Sequence, residues 1–530
     1  MTSIDWSAVQ DVCFSNGGVI LGIAFCAVLL GIWIHRNIPD FPKAPNDLDI
    51  TTDLSLATRW IQSKKWLLRG RAMLIDAHVP GKTYMLPTPK NYCVFISAEN
   101  NIKEFASSSN FSLHQAYDDL FSYRYNKLWH DEGESVHMTQ IYYFRVLREG
   151  LTTKLPVLYP YMHETLVKGV ADHLARKKAV DVNRQGWKQI HHYPFLEYIT
   201  VSVIGPIFWG ESLWANPEFQ DAARRFPAQY FAFGEIVQHV PTFAVPLVKF
   251  AVTKGNKYRN ILIKHLLPIV SEQMAEARNT PKSEENLPFI NFIQYTVLMT
   301  QGKPYWTQER IILLLESLWR AGGHSVPMTL THIMNSLCQY PEYMEPIREE
   351  LDQQPQMNFS VLESLPLLNS FIKEVIRTKP LDSASTRRKA LKTHTFKDGP
   401  HVPAGNLVCI PSYGIMNDAA LYPNPEVFNG FRFTTRPTSD NQESIKGKQG
   451  ETTRSKVTDV DLSFPFWGYG KEACPGRFFA SFEMKSVIAL LVSRYDFKLA
   501  NADKPTTWLW RTFTLPRKDT VLLIRERSEH

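Results

Sequence analysis

Apolar residues recur every three or four positions along most of the chain, the spacing that gathers them on one face of an α-helix. Residues 155–170 and 258–277 carry this period. Over 366–378 it is stronger: Leu367, Leu368, Phe371, Ile372, Val375 and Ile376 share one helical face. From Thr307 to Leu337 the pattern predicts one long helix, with Thr307 as a suitable N-cap. Pro327 interrupts that helix, since it has no N–H for the Gly323 carbonyl and clashes with it. Gly322 and Gly323 weaken the same turn, so the helix is expected to kink or open there. Strand patterns are few. Val521-Leu-Leu-Ile524 reads as a short buried strand. The pattern therefore predicts a mainly α fold with small β-sheets.

A different pattern occupies residues 17–34, an uncharged apolar run just long enough to cross a bilayer. Asp5 and Asp11 precede it, whereas Arg36, Lys43, Arg59, Lys64 and Lys65 follow, so the positive-inside rule places the bulk of the chain in the cytosol. A cleaved signal peptide fits less well, because no basic stretch precedes the run and no small-residue cleavage site follows. The expected organisation is a short lumenal tail over 1–16, a single transmembrane anchor over 17–36, a Pro-rich hinge over 37–47 with Pro39, Pro42 and Pro45, and one large domain over 48–530. The polar segment from Thr434 to Asp459 reads as a surface loop inside that domain.

Composition narrows the function classes. The chain is 44% hydrophobic and 21% charged, enough apolar material to enclose a cofactor. Its net charge of +7 is modest for 530 residues and suits anionic lipid or an acidic protein. No dense Lys/Arg stripe with interleaved aromatics occurs, so nucleic acid is not an expected partner. Six scattered cysteines without a C-x-x-C pair form neither a disulfide framework nor a zinc site, which points to a reducing compartment.

The chemistry concentrates in Phe464-Pro-Phe-Trp-Gly-Tyr-Gly-Lys-Glu-Ala-Cys474-Pro-Gly-Arg-Phe-Phe-Ala480. Gly468 and Gly470 permit a folded-back loop, and Cys474 is expected at the start of a helix, where free N–H groups stabilise a thiolate. Pro475 suits a first helical turn, Gly476 lets the backbone approach the sulfur, and Trp467 can shield it from water. A lone cysteine after a glycine turn is often only a buried thiol. The combination seen here is much rarer. A second pattern is Glu374-Val-Ile-Arg377, whose charges lie three apart on a helix and can pair. Glu345-Pro-Ile-Arg348 matches it equally and reads as a solvated face.

The cysteine loop resembles the haem-binding loop of the cytochrome P450 superfamily, above all its fungal, membrane-anchored members. The resemblance extends over most of the chain and implies the cytochrome P450 fold, with 48–530 as the haem-binding catalytic domain. It implies haem b with its iron held by the Cys474 thiolate, which favours O–O cleavage. Glu374, Arg377 and Arg432, the last in Pro425-Glu-Val-Phe-Asn-Gly-Phe-Arg432, would form a structural cluster that locks the cysteine loop. The long helix would face oxygen, with His324 and Ser325 standing where the family has an acid and a threonine. A histidine can relay protons and a serine hydroxyl can bond peroxide, so these two are the candidate catalytic residues. Glu472 stands where the family carries a basic residue on a haem propionate. Lys471 can substitute, or Glu472 can point to solvent, and Arg148 and Arg388 are further propionate candidates that could equally be surface arginines. Substrate contacts are implied for Phe105 to Leu128, the helix face near Ala321, Leu381 to Ser385 and Trp508 to Thr514.

The implied activity is insertion of one oxygen atom from dioxygen into an apolar small molecule, such as a terpenoid secondary metabolite. Electrons would come from NADPH-cytochrome P450 reductase docked on a basic face near Lys471 and Arg477, at the endoplasmic reticulum membrane. Two other readings stay open at this stage. One is a haem-thiolate enzyme of non-oxygenating chemistry (isomerisation, dehydration or cyclisation), motivated by His324-Ser325-Val326. The other is a haem-free ligand-binding or scaffold protein.

Overall fold

The computed structural model describes residues 56–88, 92–121, 125, 141–176, 186–238, 240, 242–279, 291–434 and 455–527. The anchor and hinge expected over 17–47, and positions 435–454 of the polar segment, lie outside the described residues. No helix among the described residues is long and apolar enough to cross a membrane.

The helices that position the site are α1 (Leu56–Ala77), α2 (Glu99–Ser107), α3 (Leu113–Phe121), α4 (Leu155–Ala175), α5 (His192–Trp209), α6 (Pro217–Val237), α7 (Lys257–Arg278), α8 (Gln308–Gln339), α9 (Met344–Asp352), α10 (Pro366–Thr378) and α11 (Arg477–Arg494). Helix α8 is the central column, packed against α5, α6, α7, α10 and α11. Its first turn is closed by Thr307, whose hydroxyl accepts the Arg310 N–H. It buries residues on nearly every side, among them Ile311, Leu315, Leu330, Ile333 and Leu337. That burial explains why Pro327 does not break it: the helix runs uninterrupted over all 32 residues. An interior proline costs about 3 kcal/mol, which packing of this extent offsets. Hydroxyls tighten the same stretch. Ser325, Thr329 and Thr331 each donate to the carbonyl four residues back, at 2.7, 3.1 and 2.7 Å.

Helix α10 opens with Pro366 at its first turn and buries Leu368, Phe371, Ile372, Val375 and Ile376. It also buries Lys373, which donates to Ser455 Oγ at 2.6 Å and the Lys456 carbonyl at 3.0 Å. In the neighbouring α9, Arg348 is not on a solvated face. It is buried and donates to the Val492 carbonyl at 3.1 Å, on the last turn of α11, to the Tyr495 carbonyl at 3.0 Å, just past it, and to Asp496 at 3.0 Å. The carbonyls of Val492 and Tyr495 are the reason: at the end of α11 they are acceptors that a guanidinium with several donors satisfies together. Glu345 alone stays exposed.

The strands are β1 (Tyr84–Pro87), β2 (Tyr92–Phe95), β3 (Phe111–Ser112), β4 (Lys188–His191), β5 (Ser385–Ala390), β6 (His394–Thr395), β7 (His401–Val402), β8 (Leu407–Ile410), β9 (Tyr495–Leu499), β10 (Thr507–Trp510), β11 (Phe513–Pro516) and β12 (Val521–Glu526). One sheet has the order β1-β2-β8-β5-β3, with β2 and β8 parallel and the other pairs antiparallel. It brings Cys93 and Cys409 together, their sulfurs 3.0 Å apart, a proximity their distance along the chain conceals. A second sheet, β4-β12-β9, includes the C-terminal strand read from sequence. Strands β10 and β11 form a separate hairpin, as do β6 and β7. The fold is mainly helical with small sheets.

Candidate active site

The cysteine loop is built by local hydrogen bonds. The Gly468 N–H reaches the Pro465 carbonyl at 3.1 Å, and the Ala473 N–H reaches that of Gly470 at 3.1 Å. The Cys474 N–H then donates to the Trp467 carbonyl at 2.7 Å, folding the loop back on itself. Gly468 and Gly470 have φ of 83° and 75°, the left-handed region that glycine tolerates. A Cβ on Gly470 would also stand 2.8 Å from the Ala106 Cβ. The Trp467 indole N–H donates to the Val457 carbonyl at 2.7 Å, which fixes the ring beside the sulfur loop.

Helix α11 begins at Arg477 with Gly476 as its cap, so Cys474 lies just ahead of the helix rather than on its first turn. The N–H groups of Gly476 and Arg477 nevertheless point at the sulfur. Burial raises the Cys474 thiol above its ordinary value, and those N–H groups together with the Arg477 charge oppose the rise. A metal cation on the sulfur would outweigh the desolvation and deprotonate it.

Above Cys474 lies a cavity of about 480 Å³. Its walls are mostly aromatic and aliphatic, with Tyr117, Phe121, Phe144, Phe231, Phe466 and Trp467 prominent. This is the kind of surface that accepts a flat apolar cofactor and an apolar ligand. The polar edge is also suited to an anionic cofactor. Arg388 is not itself in the lining, but it is buried beside Glu472, which is, and its Nη2 has no hydrogen-bond partner in the protein. Ser385 and Thr386 line the cavity with buried hydroxyls equally without one. Buried donors of this kind need acceptors, and carboxylates such as haem propionates supply them.

The structure brings Glu374, Arg377 and Arg432 into one cluster. Glu374 accepts from Arg377 Nε at 2.7 Å and Nη2 at 2.9 Å, from Arg432 Nε at 3.2 Å, and from the Asn429 N–H at 3.0 Å. Arg377 reaches on to the Met416 and Pro425 carbonyls at 2.9 and 2.8 Å, and Arg432 to those of Pro423 and Val427 at 2.7 and 2.8 Å. The cluster thus staples helix α10 to the chain segment that leads towards the cysteine loop.

Other candidates fall elsewhere. Glu472 does not turn to solvent: it lines the cavity, 2.7 Å from Arg388 Nε as an ion pair. The positive charge of Arg388, on β5, accounts for this. Lys471 is exposed. Arg148 is 75% exposed and pairs with Glu149, away from the cavity. From α8 the cavity takes Ser317, Arg320 and Ala321, and neither His324 nor Ser325 is part of its lining. His324 stacks on Phe231, ring centroids 4.7 Å apart. Burial, helped by the Lys518 charge, lowers its pKa to about 4, so it is neutral at pH 7. Ser325 donates its hydroxyl to the Ala321 carbonyl at 2.7 Å.

The walls include Leu113, Tyr117 and Phe121 from the first implied substrate segment, Ala321 from the second, and Leu381, Asp382, Ala384 and Ser385 from the third. Nothing from Trp508 to Thr514 joins them. Arg320 was not legible from the loop motifs. The signal for it was Glu316 and Arg320, four apart on an otherwise apolar helix.

The cytochrome P450 family profile matches residues 77–524, and the chain belongs to that family. It is a haem-dependent monooxygenase, an oxidoreductase of the class that holds its iron through a cysteine thiolate. Among similar proteins, a cytochrome P450 monooxygenase of Penicillium canescens is 27% identical over 396 residues, covering 72% of this chain and 70% of the relative. An ent-kaurene oxidase of Fusarium fujikuroi is 26% identical over 392 residues, covering 72% of this chain and 70% of the relative. The retinoic acid-bound cyanobacterial CYP120A1 superposes with a TM-score of 0.65 at 19% identity, over 92% of this chain and 100% of that one, which speaks to the fold alone.

Proposed function

We propose that Cys474 would hold the iron of haem b through its thiolate and that the chain inserts one oxygen atom from dioxygen into an apolar small molecule held in the cavity above it. The observation that carries this reading is the Cys474 thiol on the wall of an apolar cavity, with two backbone N–H groups aimed at its sulfur. Bound haem supplies the oxygen chemistry. The residues do the rest. The N–H groups of Gly476 and Arg477 support the thiolate, Trp467 and Phe466 keep water from it, and Ser385 and Thr386 on the wall, with Arg388 beside Glu472, offer donors to the propionates. The aromatic walls orient the substrate. Glu374, Arg377 and Arg432 hold the loop in register and take no part in turnover.

A terpenoid secondary metabolite is the substrate class we favour, supported by the ent-kaurene oxidases among the similar fungal proteins. Electrons come from NADPH-cytochrome P450 reductase at the face carrying Lys471 and Arg477. The catalytic domain works at the endoplasmic reticulum membrane, tethered by residues 17–36. Support for lipid contact comes from Phe243, Leu247 and Phe250, which are 68%, 73% and 69% exposed around the helix Val245–Thr253. The test is spectral and chemical together. Purified haem-loaded protein should give the thiolate-type Soret shift in its reduced carbon monoxide complex, and product formed under labelled dioxygen should carry one labelled atom.

One observation favours a second reading, non-oxygenating chemistry at the same haem. The His324 ring is stacked on Phe231, the Ser325 hydroxyl is committed to Ala321, and neither lines the cavity. Turnover without electron donor, or a product free of the label, would establish it.

A further inference from the structure

Cys93 and Cys409 are 316 positions apart along the chain, yet the fold sets their sulfurs 3.0 Å apart in a thiol–thiol hydrogen bond. The sheet explains the meeting. Strands β2 and β8 run parallel, with Cys93 opposite Leu407 and Phe95 opposite Cys409. Side chains two apart in a strand share a face, so both thiols stand on the same face of the sheet, offset by one such step. Both are buried, in one cluster with Trp66, Tyr84, Phe95 and Ala384. A single buried cysteine often serves only as a small apolar residue. Two in sulfur contact are different, because a small side-chain rotation brings them to bonding distance and only an oxidant is wanting. The pair lies close behind the cavity wall. Ala384 belongs to the same cluster and also lines the cavity. Arg387, likewise on the wall, interacts electrostatically with both sulfurs. Burial, and then the neighbouring Cys409 thiol, hold Cys93 above its ordinary value, so it rests as a neutral thiol at pH 7. An oxidant that suits such a pair is small and uncharged.

We propose that Cys93 and Cys409 form an oxidative modification site, a dithiol that hydrogen peroxide closes to a disulfide, locking β2 to β8 behind the cavity wall. One peroxide balances the chemistry. Its O–O bond breaks as one sulfur takes a hydroxyl to become a sulfenic acid, and the other hydroxyl leaves as water with that thiol's proton. The second sulfur then displaces the sulfenic hydroxyl, which leaves as water with the second proton as the S–S bond forms. The two sulfurs together lose two electrons, and the two peroxide oxygens gain them. In a reducing compartment the pair rests as two thiols, and the disulfide is a transient state that a thiol reductant reverses. In the sheet, β8 lies between β2 and β5, and β5 carries Ser385, Thr386 and Arg387 of the wall. The cross-link therefore ties down the strand next to that wall. The site does not depend on the haem-thiolate reading, since peroxide acts here only as a diffusible oxidant.

The test is a peptide map. Full-length haem-loaded protein is incubated with hydrogen peroxide for about an hour, the remaining thiols are alkylated in denaturant, and the peptides are weighed with and without dithiothreitol. A peptide pair joined through Cys93 and Cys409 should account for most chains, at about 2 Da below the sum of the two free peptides, and dithiothreitol should release it. Peroxide should also raise the urea midpoint of the natural chain by about 1 M or more relative to its effect on Cys409→Ala, because the cross-link closes a long loop of the unfolded chain. Recovery of both cysteines as alkylated thiols overturns the site without reference to any variant. So does either cysteine recovered as sulfinic or sulfonic acid with no joined peptide, and so does a joined peptide that forms only when peroxide is added in denaturant. A joined peptide without the rise in midpoint overturns the lock.

Discussion

Glu374→Gln removes one negative charge from beneath two guanidinium groups and changes almost nothing in shape. Glu374 and Arg377 are fully buried, and the Arg432 side chain is 12% exposed. At an effective dielectric near 20, two unit charges about 4 Å apart interact by about 4 kcal/mol. Removing one member of such a buried pair costs about 3–5 kcal/mol, because the remaining charges stay desolvated. Against a total stability of about 5–15 kcal/mol this is a large fraction. With a urea dependence of about 3 kcal/mol/M, the unfolding midpoint should fall by about 1 M or more. Tryptophan fluorescence reads unfolding and the Soret band reads haem release in the same titration, and both should move down together. Arg377→Met in the Glu374→Gln background should cost less than it does alone, since an uncompensated charge goes with it. A midpoint for Glu374→Gln that stays within about 0.2 M of the natural chain, about 0.5 kcal/mol, would refute the cluster as the clamp on the cysteine loop.

Cys474→Ser should abolish the thiolate-type Soret band of the reduced carbon monoxide complex, and a persisting band would identify a different ligand. Gly470→Ala should lower haem content, since the new methyl meets Ala106 in a left-handed backbone; unchanged haem per chain would show that the loop can shift. Ser325→Ala should raise peroxide released per electron pair consumed if its hydroxyl serves oxygen activation, and unchanged coupling would remove it from that role. Stability should fall as pH drops from 6.5 towards 4. His192 and His332 are fully buried with folded pKa values lowered to about 4 by burial, while the unfolded chain titrates near 6.5. The unfolded state therefore binds protons first, at about 2 kcal/mol for each histidine by pH 5, and melting at pH 7 and pH 5 should differ more for the natural chain than for His332→Gln. Equal differences would show that His332 does not carry the effect.

The elements legible in the sequence were those whose chemistry is local. The period over 366–378 coincides with α10 because a helix buried along one face must repeat every three to four residues. The Thr307 cap was legible for the same kind of reason, being one hydroxyl and one N–H three residues apart. The cysteine loop carries its own glycines. Tertiary packing decided the rest. Pro327 signalled a break, yet α8 is so thoroughly enclosed that the helix persists. Arg348 looked like any surface arginine, because the carbonyls it satisfies are nearly 150 residues away along the chain. Glu472 departs from the family pattern locally, and only the fold shows Arg388 brought in from β5 to meet it.

The Arg348 contacts have a mechanical side. Helix α11 is 18 residues long, so its two ends stand about 27 Å apart. One end carries the cysteine loop, and the other is gripped by Arg348, which donates to the Val492 carbonyl and to Asp496 just beyond the helix. A rod fixed at its far support can pivot little at its near tip. The position of the sulfur beneath the cavity is thus set partly from the opposite end of the helix. Loosening that far support would let the tip rock, spreading the sulfur over a range of positions without altering a single residue beside it.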